Sequence, residues 1–162
     1  MSRPLADLPG IRRKAIRSGS VSSAMSYVIK AAITDESAKE FSFRAQKTMY
    51  GGKSIGEKDE IFVFASETQG GNGLIARGVV TSATSVPIKR KDPKERVTPR
   101  VSIEVRRVAK TKRSLGRDDL KAFSDWDDGK PETELNFKFY RQSTNKICGI
   151  SDETAAFLRK FF

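Results

Sequence analysis

The run Glu60–Ile61–Phe62–Val63–Phe64–Ala65–Ser66 limits the possible folds more than any other segment of this chain. It is short, apolar on every residue from 61 to 65 and rich in aromatic and β-branched side chains. It therefore reads as a strand buried on both faces and central in its sheet. A glycine-rich turn at 69–73 leads into a second strand over 74–83, and the two form the clearest hairpin in the chain. Gly78 inside that second strand permits a bulge or a close backbone approach. Residues 100–108 alternate, with Val101, Ile103 and Val105 turned to the core and Arg100, Ser102, Glu104 and Arg106 to solvent. The β-branched and aromatic stretch 25–33 predicts an opening strand, and residues 135–140 a late one.

Helices are signalled more weakly. Phe41, Ala45 and Met49 recur at helical spacing, so residues 36–49 read as largely helical, with a cap near Asp35 and a stop at Gly51–Gly52. Residues 115–123 are a short helix candidate. Ser151 caps a final helix opened by Asp152 and Glu153, with Ala155, Leu158 and Phe161 or Phe162 on its buried face. About five strands with two or three short helices, and no repeated βαβ unit, predict an α+β domain or small mixed barrel over residues 25–162. Residues 1–24, broken by Pro4, Pro9, Gly10 and Gly19, read as a basic flexible leader.

The charge is uneven. The chain carries 31 Lys and Arg against 20 Asp and Glu, a formal net charge of +11, and no histidine. Twelve of those cations lie in residues 88–117 against three acids, and five lie in residues 3–17 against one, whereas 118–138 is net acidic. A localised excess of this kind suits a polyanion. The missing histidines remove the commonest general base and the commonest metal ligand. The single cysteine, Cys148, forms no internal disulfide, sits in an apolar run and suits a reducing compartment. The expected location is the cytoplasm, with nucleoid association compatible with the charge; the Arg- and Ser-rich start leaves mitochondrial targeting as the minor alternative. No apolar run approaches a membrane span.

The order of elements resembles the PUA-like superfamily, and within it the EVE-type domain. Tyr27–Val28–Ile29–Lys30 looks like that domain's opening strand, which ends in lysine. Ile55–Gly56–Glu57–Lys58–Asp59 before the central strand, and Gly73–Leu74–Ile75–Ala76–Arg77–Gly78–Val79–Val80 after it, resemble its central hairpin. Tyr140–Arg141–Gln142–Ser143–Thr144–Asn145–Lys146–Ile147, followed by Ile150–Ser151–Asp152–Glu153, resembles its strand–loop–helix ending. The resemblance implies a pseudo-barrel with a concave, partly aromatic pocket that receives a nucleic-acid base, in some relatives a modified cytosine flipped from duplex DNA. The chain departs from the pattern after the first strand. The family's tryptophan and Arg-Asn pair are absent there, and Phe41, Phe43, Gln46, Lys47, Thr48 and Tyr50 stand in their place.

A base reader needs a flat apolar wall and an edge-reading polar group. Tyr27, Phe43, Tyr50, Trp126 and Tyr140 are the wall candidates, and Trp126, among Asp125, Asp127 and Asp128, is the one expected at the surface. Gln46, Ser66, Ser143, Thr144 and Asn145 are the edge-reading candidates, an amide being able to donate and accept together. Phosphates fall to Lys89, Arg90, Lys91, Lys94 and Arg96 in the 86–98 loop. Arg106, Arg107, Lys110, Lys112 and Arg113, at the end of the following strand, are expected to continue the same surface. No metal or cofactor is implied: the aspartates lack a calcium-loop spacing, and neither Gly70–Gly71–Asn72–Gly73 nor Gly51–Gly52–Lys53–Ser54 completes a phosphate loop. The expectation is a non-enzymatic module whose partner is nucleic acid, with modified DNA favoured over RNA. A structured-RNA binder without base flipping and a protein- or small-ligand-binding domain are the alternatives.

Overall fold

A computed structural model describes residues 26–67, 70–87, 89–94, 97–140 and 146–162, apart from the side chains of 139 and 140. Six strands are described: β1 Ser26–Ala31, β2 Glu40–Met49, β3 Glu60–Ala65, β4 Gly73–Ser85, β5 Arg100–Lys110 and β6 Lys146–Ile150. They close into one barrel in the order β1-β3-β4-β5-β2-β6. The helices are short: α1 Arg117–Leu120, α2 Pro131–Leu135, which continues into a π-helical turn over Asn136–Tyr140, and α3 Asp152–Arg159.

The expected hairpin is present, with β3 antiparallel to β4. The apolar character of β3 on both faces has two causes. Ile61, Val63 and Ala65 point into the barrel with Tyr27, Ile29, Phe41, Phe43, Val101, Ile103 and Val105. Phe62 and Phe64 point outward with Val28, Cys148 and Ile150, where Leu115, Leu120, Leu135, Ala155, Leu158 and Phe161 cover them. The fold is thus a closed barrel with a helical layer over the outer face of β1, β3 and β6. Among the described residues no helix is long and apolar enough to cross a membrane.

Gly78 marks a register shift between β4 and β5. A Cβ there would lie 2.5 Å from Val105 Cγ1 and 2.9 Å from the Arg106 carbonyl oxygen, so only glycine allows this approach. Ser151 caps α3 as expected, its side chain accepting from Thr154 N at 3.2 Å.

Three readings are corrected. Residues 40–49 are the strand β2, not a helix. A bulge between Phe43 and Gln46, with Ala45 at φ 52°, adds one residue and resets the alternation. Phe41 points into the barrel and Met49 packs on its outside, because the bulge between them shifts the alternation. Residues 135–140 are helical, not a strand. Pro131 opens α2 with Glu132 and Glu134 in its first turn, a combination that favours a helix start. The last strand is instead β6, and the helix expected at 115–123 shortens to the single turn α1.

Glu60 ties the barrel to its helical layer. Its carboxylate accepts from Ser26 Oγ at 2.9 Å, Arg77 Nε at 2.6 Å and Arg159 Nη2 at 2.6 Å. Burial opposes its charge, but these donors outweigh burial and hold the carboxyl below its usual 4.5. A depressed folded value contributes stability that is complete above the unfolded value and is lost as pH falls through the folded one. Thermal melts from pH 6 downward are therefore expected to lose stability below about pH 4.5, with Glu60→Gln flattening part of that decline.

Candidate nucleic-acid interface

The candidate residues separate into core, turn and surface. Tyr27 is 2 % exposed and Phe43 5 %, both inside the barrel, so neither is a pocket wall. A side chain that alternates into a closed barrel has no free face, and Phe43 stacks on Phe41 with ring centres 6.1 Å apart. Ser66 is buried at the end of β3, its N–H donating to the Ala31 carbonyl at 2.8 Å and its carbonyl accepting from Gly71 at 2.8 Å. Gln46 follows the β2 bulge; its Nε2 donates to the Arg44 carbonyl at 2.8 Å, and its buried Oε1 has no hydrogen-bond partner among the described residues. Ser143, Thr144, Asn145 and the Tyr140 side chain lie outside the described residues.

Two of the wall candidates meet through a residue the sequence reading missed. Trp126 is 42 % exposed, and its ring centre lies 5.3 Å from that of Phe137, itself 36 % exposed. Phe137 lies in turn 6.4 Å from Tyr50. Trp126 and Phe137 line a cleft of about 410 Å³ with Lys130, Thr133, Glu134 and Lys138. Lys138 Nζ sits 5.2 Å over the Tyr50 ring and 2.8 Å from Glu134. Reading 135–140 as a strand hid Phe137. The Pro-Glu-Thr-Glu start at 131–134, with Glu134 and Lys138 at helical spacing, is the signal that exposes it.

Glu134 is the polar centre of this cleft. It accepts from Ser151 N at 3.0 Å, Ser151 Oγ at 2.6 Å and Thr154 Oγ1 at 2.5 Å, besides Lys138. Burial works against its ionisation, and the donors Lys138, Ser151 and Thr154 overcome that and lower its pKa. The cleft wall is thereby joined to the start of α3.

The basic residues fall towards both ends of β5. Lys89, Arg90, Lys91 and Lys94 are exposed in the segment before β5, and Arg96 lies outside the described residues. Lys110, Lys112 and Arg113 lie at the other end of the 11-residue strand β5, about 33 Å away at strand rise. Arg106 is exposed between them, and Arg107 donates to the Ser37 carbonyl at 2.8 Å.

Lys110, Lys112 and Arg113 instead line a second cleft, of about 320 Å³, with Glu36, Asn72 and Thr111. Arg113 is held by the Phe161 ring, 4.3 Å from its guanidinium carbon, and by a 3.2 Å hydrogen bond to the Lys160 carbonyl. Glu36 is engaged by Asn72, whose Nδ2 donates to it at 2.8 Å. Thr111 Oγ1 is buried with no hydrogen-bond partner among the described residues. The two clefts flank α3: Ser151 at its start meets Glu134, and Phe161 beyond its end accepts from Lys112 N at 2.7 Å. The eight residues of α3 put its two ends about 12 Å apart.

Comparison with solved structures places this architecture. Human THYN1 in complex with 5-methylcytosine-containing DNA superposes with a TM-score of 0.56 at 15 % identity, over 85 % of this chain and 96 % of that one. The fold is that of the PUA-like, EVE-type domains. The DUF55 domain of human thymocyte nuclear protein 1 gives a TM-score of 0.55 at 16 % identity, over 83 % and 96 %. A Pseudomonas putida protein gives 0.52 at 16 %, over 84 % and 98 %. No family model matches the sequence, and no curated protein does either.

Proposed function

We propose that this EVE-type barrel is a nucleic-acid-binding module that acts by binding, not by catalysis. In this reading Lys110, Lys112 and Arg113 hold the phosphate backbone in the basic cleft, and the aromatic cleft stacks a base on Trp126 and Phe137. The observation that carries the reading is the solvent-facing Trp126–Phe137 pair, flanked by Lys130 and Lys138. Aromatic rings beside cations are how base-tolerant sites hold unpaired nucleotides. The DNA complex of THYN1, which shares the fold, supports nucleic acid as the partner.

The finer reading is that the stacked base is a modified cytosine extruded from duplex DNA. Extrusion costs a few kcal/mol, which the cleft would offset by stacking. Fluorescence anisotropy tests both levels, with duplexes carrying plain, methylated or hydroxymethylated cytosine, single-stranded DNA and hairpin RNA, each at two salt concentrations. A several-fold preference for one modified duplex that persists at higher salt supports the finer reading. Equal, steeply salt-sensitive binding to all of them reduces it to backbone binding, and no binding refutes both.

Trp126 is the only tryptophan, so its emission reports the cleft directly. Binding of single-stranded DNA is expected to quench it, and Trp126→Ala to weaken affinity about 5- to 100-fold, the range for losing one base–aromatic stack. A titration that leaves the emission unchanged would move the base elsewhere.

A further inference from the structure

Glu60 gathers two arginines from different elements of the fold. Arg77 of β4 donates through Nε to its Oε2 at 2.6 Å, and Nε of Arg159 on α3 reaches the same oxygen at 3.1 Å. Arg159 Nη2 donates to the other oxygen at 2.6 Å. A shared acceptor makes the two guanidinium groups neighbours. Both remain open to solvent, the Arg77 side chain being 36 % and the Arg159 side chain 47 % exposed, whereas the carboxylate between them is 16 % exposed.

The pair is only partly answered. One carboxylate faces two cations, and Asp152 adds a weaker pull on Arg159. The donors are also incompletely spent. Arg77 commits Nε, and Arg159 commits Nε and Nη2. Nη1 of both arginines and Nη2 of Arg77 have no acceptor among the described residues. A guanidinium presents its N–H groups as a planar fork that matches a phosphate. Held from behind by Glu60, each fork loses less freedom when an anion docks.

The pair adjoins the basic cleft. Arg159 precedes Lys160, whose carbonyl accepts from Arg113 Nη2 at 3.2 Å. Arg77 is in register with Ala109, next to Lys110. We infer that Arg77 and Arg159, set side by side by Glu60, form a phosphate clamp that grips the nucleic-acid backbone beside the basic cleft. That the phosphate belongs to nucleic acid rests on the function proposed above; the clamp itself does not. Glu60 is then a positioning residue, and the two arginines touch the ligand.

The test uses the full chain, a labelled duplex at four salt concentrations, and two variants. E60Q/R77Q/R159Q removes both guanidinium groups together with the carboxylate they share, so no half-buried charge is stranded. It is expected to bind duplex about 10-fold more weakly at low salt, with a salt slope lower by about 1.8, from two phosphate contacts at 0.9 each. E60Q alone makes the chain more positive, so diffuse attraction would tighten binding; loss of the positioning carboxylate is expected to weaken it several-fold. Sodium tripolyphosphate, compared with sodium chloride at equal ionic strength, is expected to raise the wild-type Tm at least twice as much as that of the triple variant. Unchanged affinity and slope in the triple variant, where K110E/K112E does weaken binding, overturns the clamp and leaves the proposed function standing. Equal or tighter duplex binding by E60Q overturns the positioning by Glu60 on which the clamp depends. An equal tripolyphosphate shift in wild type and triple variant overturns the clamp, whatever nucleic acid does. A tripolyphosphate difference without duplex binding by the wild type supports the clamp and removes the proposed function.

Discussion

Reversing two charges in the basic cleft, in the variant K110E/K112E, is expected to weaken duplex DNA binding about 100-fold at low salt and to lower the salt slope by about 1.8, two contacts at 0.9 each. Both lysines are exposed at the end of β5, so the melting temperature should hold within about 2 °C, surface substitutions being worth about 0.5 kcal/mol or less. The same reversal in the loop, K89E/K91E, is expected to have a smaller effect, because the loop sits at the opposite end of the strand. Anisotropy with one labelled duplex across four salt concentrations separates the two. Equal losses from both pairs would mean that the strand is gripped along the whole length of β5, and a loss from the loop pair alone would transfer the backbone site there.

The second large effect concerns stability. Glu134→Ala removes a carboxylate that gathers Ser151, Thr154 and Lys138 into one network. It leaves the cap of α3 and two hydroxyls with lost partners at the seam between α2 and α3. The expected cost is about 2–3 kcal/mol, a fall in Tm of about 4–12 °C. Glu134→Gln, which retains acceptor and donor capacity, should lose less. A calorimetric scan at pH 7 checks both. An alanine variant that melts with the wild type would mean that water replaces the carboxylate without loss.

These expectations draw unevenly on what the sequence allowed. The β3–β4 hairpin and the inward face of β5 were legible because burial on a sheet writes itself as a local pattern: continuous in β3, alternating in β5. The cap of α3 was legible because Ser151 acts within its own turn. β2 was not, because Phe41, Ala45 and Met49 stand at a spacing that suits a helix, and the bulge breaks the alternation that would have marked a strand. Tyr27 and Phe43 were drawn into the candidate pocket because an aromatic in a strand does not reveal which side of a closed barrel it faces. Trp126 was found by its acidic neighbours, whereas Phe137 needed α2 to be read as a helix.

The closure of the barrel also bears on how the chain is made. β1 and β6, joined by the pairing of Ser26 with Ile150, and β2 and β6, joined by that of Lys47 with Lys146, are seams between segments synthesised far apart in time. Contacts so distant along the chain delay folding, because the loop must close before any pairing rewards it. Until β6 arrives, the growing chain presents the unpaired rims of β1 and β2 and the bare outer faces of Val28, Phe62 and Phe64. Such surfaces invite association between unfinished chains. The arrival of β6 thus decides when the chain becomes safe to leave the company of chaperones.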